Sequence, residues 1–335
     1  MAAFAALQGI YSRASGTSQG MMLMLFSTIC FVVMQSMIRH VGETLPPFEV
    51  AFFRNLFGLV ALAPIFIQQG IAPFRTKKLH LHATRGAIQA TGMLAFFTGV
   101  TLIPLAQVTA LSFSAPLFAT LLAIVLLGER VRMRRITALI LGFVGMLIVV
   151  RPGAEEINLG TMLIVASSFS WGIAIAIIKS MSRTESSATL TVYMGVFLTP
   201  ITGVFAFFVW QTPSWEQLGW LFLIGCLGTI GHLAFAQSFR RADSTAVLPL
   251  DFTRLIWASI IGYLAWNEIP DAWAWIGGTV IFGSATYIAY REAMLARQGR
   301  RDAAAKARAE AGTVGAGVKA VEPSAAGPGP SRTRL

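Results

Sequence analysis

Charge is scarce in this chain. Only 12% of its 335 residues are Asp, Glu, Lys or Arg, roughly half the share found in soluble domains. The mean hydropathy of +0.67 agrees, and lipid is the solvent that this composition fits. Acids are scarcer than bases, 15 against 26, for a net charge of +11. No loop carries a basic, aromatic-interleaved stripe, so that excess points to anionic headgroups rather than nucleic acid. Cysteine is nearly missing. Cys30 and Cys226 both sit in apolar stretches and read as packed thiols, not a disulfide or metal site. The chain has no His-Glu-x-x-His, Gly-x-Ser-x-Gly or Asp-rich metal motif and no Walker-type phosphate loop. These absences speak against hydrolase chemistry and against ATP drive from this chain, and no metal or cofactor is expected. Residues 1–19 lack the long apolar core of a signal peptide.

Long apolar runs dominate what remains. Ten spans are placed at 20–38, 48–69, 82–102, 104–127, 136–150, 158–178, 188–210, 216–238, 245–266 and 272–290. Most are long enough to cross a hydrocarbon core of about 30 Å as helices. Lys and Arg crowd into alternate gaps: Arg75, Lys77 and Lys78; Arg130, Arg132, Arg134 and Arg135; Lys179 and Arg183; Arg240 and Arg241. The opposite gaps carry only Arg39 and Arg151, with Glu43, Glu155, Glu156, Glu216, Glu268 and Asp271. Short loops rich in Lys and Arg stay inside, which puts both termini in the cytoplasm and the chain in the inner membrane. Residues 1–19 form an N-terminal tail. Residues 291–335 read as a fraying helix followed by disorder.

The chain repeats itself. A shift of 139 residues lays Val108 on Val247, Leu111 on Leu250, Phe113 on Phe252 and Glu129 on Glu268. Each half, 20–150 and 158–290, then holds five spans. Five is odd, so the second half enters the membrane upside down. The expected fold is an all-α integral membrane protein of ten transmembrane helices in two inverted five-helix repeats, an architecture common among secondary transporters.

Particular residues carry a family resemblance across both halves. They are Ala51-Phe52-Phe53-Arg54, Thr84-Arg85-Gly86, the run from Ile103 to Leu111, Leu127-Gly128-Glu129-Arg130, Val150-Arg151-Pro152-Gly153, Ser170-Trp171-Gly172 and Asn267-Glu268. With them the chain resembles the EamA family of the drug/metabolite transporter superfamily. The sequence departs from the family pattern at Phe31-Val32, where Trp-Gly is usual, and at Asn267, where Gly is usual. The resemblance implies transport of amino acids, nucleotide-like cofactors, vitamins or drugs, in either direction.

Ionisable groups inside spans are expensive in lipid and mark candidate sites. Arg54 lies about 10 Å below the outer surface and Arg254 about 13 Å from the cytoplasmic one. Asp251 shares a helix face with Arg254. The two either neutralise each other and lock span nine, or open for a charged or zwitterionic ligand, or Asp251 takes up a coupling proton. By the repeat, Asp251 matches Ser112, and Ser112, Phe113 and Ser114 are expected to face a central cavity, with Phe252 a further ring for the ligand. The serines, Ser114 above all, alternatively bond between helices. Span three presents Arg85, Gln89, Gly92 and Phe96 on one face, toward the bundle interior. Arg85 either snorkels to the headgroups or gates. Trp171 is a stacking surface or a packed indole. His232 is a packing residue or a proton relay, whereas His80 and His82 fall in a basic loop far from any acid. Lys179 and Arg39 read as anchors at span ends. Pro64, Pro116, Pro200 and Pro249 lie inside spans and are expected to bend them, Pro116 and Pro249 in the two repeat-related helices.

The leading function is a secondary transporter that moves a small anionic or zwitterionic metabolite, with aromatic character allowed, by alternating access. Its partners would be the substrate and the bilayer, with H+ as a candidate coupling ion and a homodimer as a candidate assembly. An intramembrane enzyme and a channel or scaffold are the alternatives. The chain shows neither the catalytic constellations of the first nor the charge rings or filter loops of the second.

Overall fold

The computed structural model describes residues 16–63, 74, 76–127, 133–152, 158–181, 185, 187–242, 244–291, 294 and 298. No strand occurs among them. The helices are α1 (Gly16–Gly42), α2 (Pro47–Ala61), α3 (Leu79–Val100), α4 (Leu105–Ser112), α5 (Ala115–Leu127), α6 (Met133–Val150), α7 (Leu159–Met181), α8 (Ser187–Phe208), α9 (Trp215–Arg241), α10 (Ser244–Asp251), α11 (Thr253–Trp266) and α12, over 272–291. Pairing α4 with α5 and α10 with α11 recovers ten spans. Pro64, the whole of 128–132 with Glu129, Arg183, residues 1–15 of the N-terminal tail and everything beyond 298 lie outside the described residues.

Local chemistry sets several boundaries. Pro47 opens α2 in the first turn, where its missing N–H forfeits no bond. Ser214 caps α9: its hydroxyl accepts from the Gln217 N–H while the Gln217 side chain accepts from the Ser214 N–H. Asn267 ends α11 in the left-handed region, at φ 53°. Only glycine and asparagine enter that region readily, so the departure from the family's Gly is conformationally neutral. His80 and His82 fall in the first turns of α3 and not in a loop, because that helix begins at Leu79.

The halves are inverted. A Cβ on Gly42, at the end of α1, would touch Thr101 at the end of α3. One on Gly160, at the start of α7, would touch Leu102 and Ile103 beside them. The first helix of one repeat therefore finishes where the first helix of the other begins. Contacts exchange in the same way: α1 packs on α9 as α7 packs on α3, and α1 packs on α11 as α7 packs on α5.

Spans four and nine are not continuous helices, as a simple count of spans implies. Each breaks, at Phe113–Ser114 and at Phe252, positions that the 139-residue shift superposes. Pro116 removes the N–H that would reach Ser112, and Pro249 removes one in α10. Hydroxyls add bonds to carbonyls beside each break. Ser114 Oγ donates to the Leu111 carbonyl (2.6 Å) and Thr253 Oγ1 to the Leu250 carbonyl (2.7 Å). These two bonds also occupy superposable positions. Ser114 thus serves its own backbone rather than a neighbouring helix. The helix contact comes from Ser168 on α7, whose Oγ also reaches the Leu111 carbonyl at 3.3 Å. Pro200 lies within an uninterrupted α8.

Among the described residues, five helical stretches are long and apolar enough to cross a membrane: Gly16–Gly42, Leu105–Leu122, Leu159–Ile178, Thr189–Phe208 and Trp215–Arg241. Phe207, Phe208, Leu264 and Met133 point outward from the bundle, each more than 70% exposed, as lipid-facing side chains do. α6 and α12 meet backbone to backbone. A Cβ on Gly277 would lie 2.5 Å from the Gly145 carbonyl oxygen, whereas one on Gly283 would meet nothing within 4 Å. Gly277→Val should lower the detergent melting temperature by several degrees, an overpacking cost of about 1–3 kcal/mol. Gly283→Ala should leave it unchanged. Fluorescence-detected gel filtration after heating reads both.

Candidate functional site

α2, α8 and α9 enclose a cavity of about 80 Å³ whose lining includes Arg54, Asn55, Met194, Thr229 and His232. Arg54 is buried, 7% exposed. It fits because Gly228 has no side chain: a Cβ there would stand 3.2 Å from both Nε and Nη2 of the guanidinium. Nη1 donates to Asn55 Oδ1 at 3.0 Å, and Asn55 Nδ2 in turn faces Thr202 Oγ1 and Met93 Sδ. Nε has no hydrogen-bond partner among the described residues. No carboxylate among them pairs with Arg54 either. A buried cation without a counter-charge is a costly arrangement in a lipid-enclosed bundle.

The Asp251–Arg254 pair forms. Arg254 Nε donates to Asp251 Oδ1 at 2.7 Å across the break at Phe252. Neither side chain is sealed: 21% of Arg254 and 14% of Asp251 remain exposed. Arg254 also lies over two rings, 5.0 Å from the centre of Phe31 and 5.9 Å from that of Phe235. Phe31 in turn meets the His232 ring edge-on at 4.9 Å. His232 therefore bridges the Arg54 cavity and the Arg254 cluster. Phe31, noted in the sequence only as a departure from the family pattern, is a buried member of this cluster.

The pseudo-twofold relation builds a second aromatic frame, without the Asp251–Arg254 pair. Phe96 and Trp171 pack at 5.0 Å, as Phe235 and Phe31 do at 6.3 Å. Gly92 admits Ser170 where Gly231 admits Cys30 and Phe31. Gln89 faces Met194, and Arg85 differs from the snorkelling expectation. It is 3% exposed, and it donates to Gln89 Oε1 (2.8 Å) and to the Leu190 carbonyl (2.9 Å). Nε and Nη2 are thus met within the bundle, while Nη1 has no partner among the described residues. On the central axis Phe113 stacks on Phe252 at 5.9 Å, and both touch Phe282. Ser112 Oγ donates to the Val108 carbonyl at 2.7 Å, so its hydroxyl is spent within its own helix. Pro116 and Pro249 are exposed on the outside of the broken helices.

Comparison with known proteins decides the affiliation. The model of the EamA-like transporter family matches residues 18–151 and again 158–290. This chain belongs to the EamA-like transporter family. A curated relative in that comparison, the S-adenosylmethionine uptake transporter of Rickettsia bellii, is 30% identical over 76% of this chain and 88% of its own. The riboflavin transporter of Vibrio cholerae is 28% identical over 84% of this chain and 96% of its own. A solved crystal structure superposes with a TM-score of 0.56 at 15% identity, covering 82% of this chain and 98% of that one. That likeness concerns the fold alone. The family and these relatives are transporters, which are not enzymes.

Within this EamA member, both ends of the bundle carry polar clusters that spacing along the chain did not foretell. At the end bearing Gly42, Arg39 pairs with Glu268, lies 4.9 Å over the Trp266 ring and donates to the Ile103 carbonyl. Glu268 Oε2 accepts the Leu105 N–H, and Glu43 accepts the Trp266 indole N–H at 2.9 Å. Arg39 is thus a tie between α1, the start of α4 and the end of α11, not merely an anchor. At the opposite end His82 is buried, stacks on Tyr193 at 4.5 Å and stands 3.9 Å from Glu185. The fold supplies the acid that the sequence around His82 lacks. Glu49 on α2 is fully buried, with one oxygen accepting the Gln211 N–H. The lining residues Asn55 and Thr229 carried no sequence signal.

Removing one member of the Asp251–Arg254 pair leaves the other charge unmatched, a cost of about 3–5 kcal/mol for buried pairs. Asp251→Ala should therefore depress the yield of monodisperse protein more than the double variant Asp251→Ala/Arg254→Ala does. Equal yields would show that the pair contributes nothing to the fold.

Proposed function

We propose that this protein is a secondary transporter of the inner membrane that carries a small anionic or zwitterionic organic metabolite by alternating access, with both termini cytoplasmic. Transport of a small metabolite follows from the family and from relatives that move S-adenosylmethionine and riboflavin. The observation that carries the finer reading is Arg54: a buried guanidinium on a cavity wall, with neither a partner for Nε nor a paired carboxylate among the described residues. A substrate anion supplies the missing counter-charge. The Asp251–Arg254 pair adds a second polar point on the neighbouring helix, and Phe31, Phe96 and Trp171 offer ring surfaces. Two phenylalanines, Phe113 and Phe252, separate the two halves of the site.

The cavity volume supports a cycle of opening and closing. About 80 Å³ is well short of the 300–1,000 Å³ typical of metabolite sites, so a substrate enters only when helices separate. With the termini inside, the Arg39–Glu268 cluster lies at the outer face and serves as an outer clasp. The cavity extends from Arg54 toward Leu62, Thr191 and Ala236, on the cytoplasmic side.

Two experiments test this reading. In proteoliposomes, counterflow of S-adenosylmethionine or riboflavin should be saturable, and Arg54→Gln should reduce it by about 10–100-fold, the worth of a charge-assisted bond. Arg54→Lys should retain part of it. Full counterflow in a well-folded Arg54→Gln protein would remove the residue from the site. For the clasp, Leu105→Cys is introduced in a background lacking Cys30 and Cys226. Glu268→Gln should raise its labelling by an impermeant maleimide added outside several-fold, and unchanged labelling would discard the clasp.

A further inference from the structure

Arg254 occupies a binding arrangement that is itself generic for organic cations. Two aromatic faces, Phe31 at 5.0 Å and Phe235 at 5.9 Å, flank its guanidinium, and the Asp251 carboxylate takes its Nε proton at 2.7 Å. Two rings and a carboxylate attract ammonium and sulfonium groups as readily as guanidinium. The arrangement is not a by-product of the repeat. The matching pair, Phe96 with Trp171, has Ser112 at the position of Asp251 and Ala115 at that of Arg254. Only one of the two aromatic pairs has acquired charge.

Its location relative to Arg54 is defined by α9. Arg54 fills the space left by Gly228, and Phe31 fills the space left by Gly231 on the same helix. Three residues of helix separate those points by about 4.5 Å. His232, one residue further, touches the Phe31 ring and lines the Arg54 cavity. An unmatched cation and an aromatic cation seat thus stand about one helical turn apart.

We propose that the seat formed by Phe31, Phe235 and Asp251 binds the cationic group of a zwitterionic substrate, and that Arg254 is an internal occupant which the substrate displaces. The substrate's anionic group then lies at Arg54. This rests on the transporter reading and narrows it: the preferred ligand carries an ammonium or sulfonium centre about 5 Å from a carboxylate. A ring system is an addition to that requirement, not a substitute for it.

The test uses two ligands of one shape. 4-(Trimethylammonio)butanoate and 5,5-dimethylhexanoate differ in a quaternary nitrogen against a quaternary carbon. Binding to the purified full chain is measured by calorimetry and by thermal shift. The trimethylammonio compound should bind about tenfold more tightly, as a cation–aromatic contact warrants. Phe31→Leu should erase that preference and Phe31→Trp should keep it. Arg254→Met, which empties the seat, should tighten binding of the cationic ligand and leave its isostere unchanged. Equal binding of the two ligands, or a preference that survives Phe31→Leu, overturns the proposal, as does absence of cation binding in wild type and Arg254→Met alike. Counterflow is scored separately. Saturable counterflow without cation preference leaves the transporter and removes the seat, whereas cation preference without counterflow leaves the seat and removes the transporter.

Discussion

Lipid offers no hydrogen bonds. Backbone groups inside the bilayer must find their partners within the protein, and this requirement bears on the two broken helices at the centre of the fold. A proline in each removes a rung of the helical ladder. Beside each break, Ser114 and Thr253 turn their hydroxyls back onto the carbonyls of Leu111 and Leu250, three residues earlier. Ser168 lends a second donor to Leu111, and Thr28 meets Thr253 at 3.1 Å from the equivalent neighbouring helix. Irregular backbone survives at mid-depth because these few side chains satisfy it. Phe113 and Phe252 can therefore meet face to face between the two halves.

The same frame built twice also shows where the halves have diverged. Glycines at 92 and 231 admit a neighbouring helix at matching heights, and an aromatic pair stands beside each. Charge is not shared equally. By the 139-residue shift Tyr193 stands at the position of Arg54 and Ala115 at that of Arg254. Geometry is held in common, while the carboxylate–guanidinium pair stands beside one aromatic pair and not the other.

The span count, the repeat and the Asp251–Arg254 pair were legible because each depends on short-range order: runs of apolar residues, a constant shift, and a spacing of three on one helix. The facing of Gln89, Arg85 and Phe96 toward the bundle interior was legible for the same reason. Arg39–Glu268 and His82–Glu185 were not. Their members lie far apart along the chain, and only the packing of distant helices brings them together. Arg85 was misjudged because depth alone cannot tell a path to the headgroups from a carbonyl on the next helix. Phe31 was visible as a departure from a pattern, but its value depends on a ring 5.0 Å from a guanidinium, which no one-dimensional pattern encodes.

The break at Phe252 has an electrostatic consequence for the pair that spans it. Asp251 is the last residue of α10, where the macrodipole is negative, and Arg254 stands in the first turn of α11, where it is positive. Each side chain repels the terminus that bears it, and their mutual attraction, with the rings of Phe31 and Phe235 beside Arg254, offsets that repulsion. Any cation held against Asp251 is therefore favoured by the end of α10 as well as by the carboxylate.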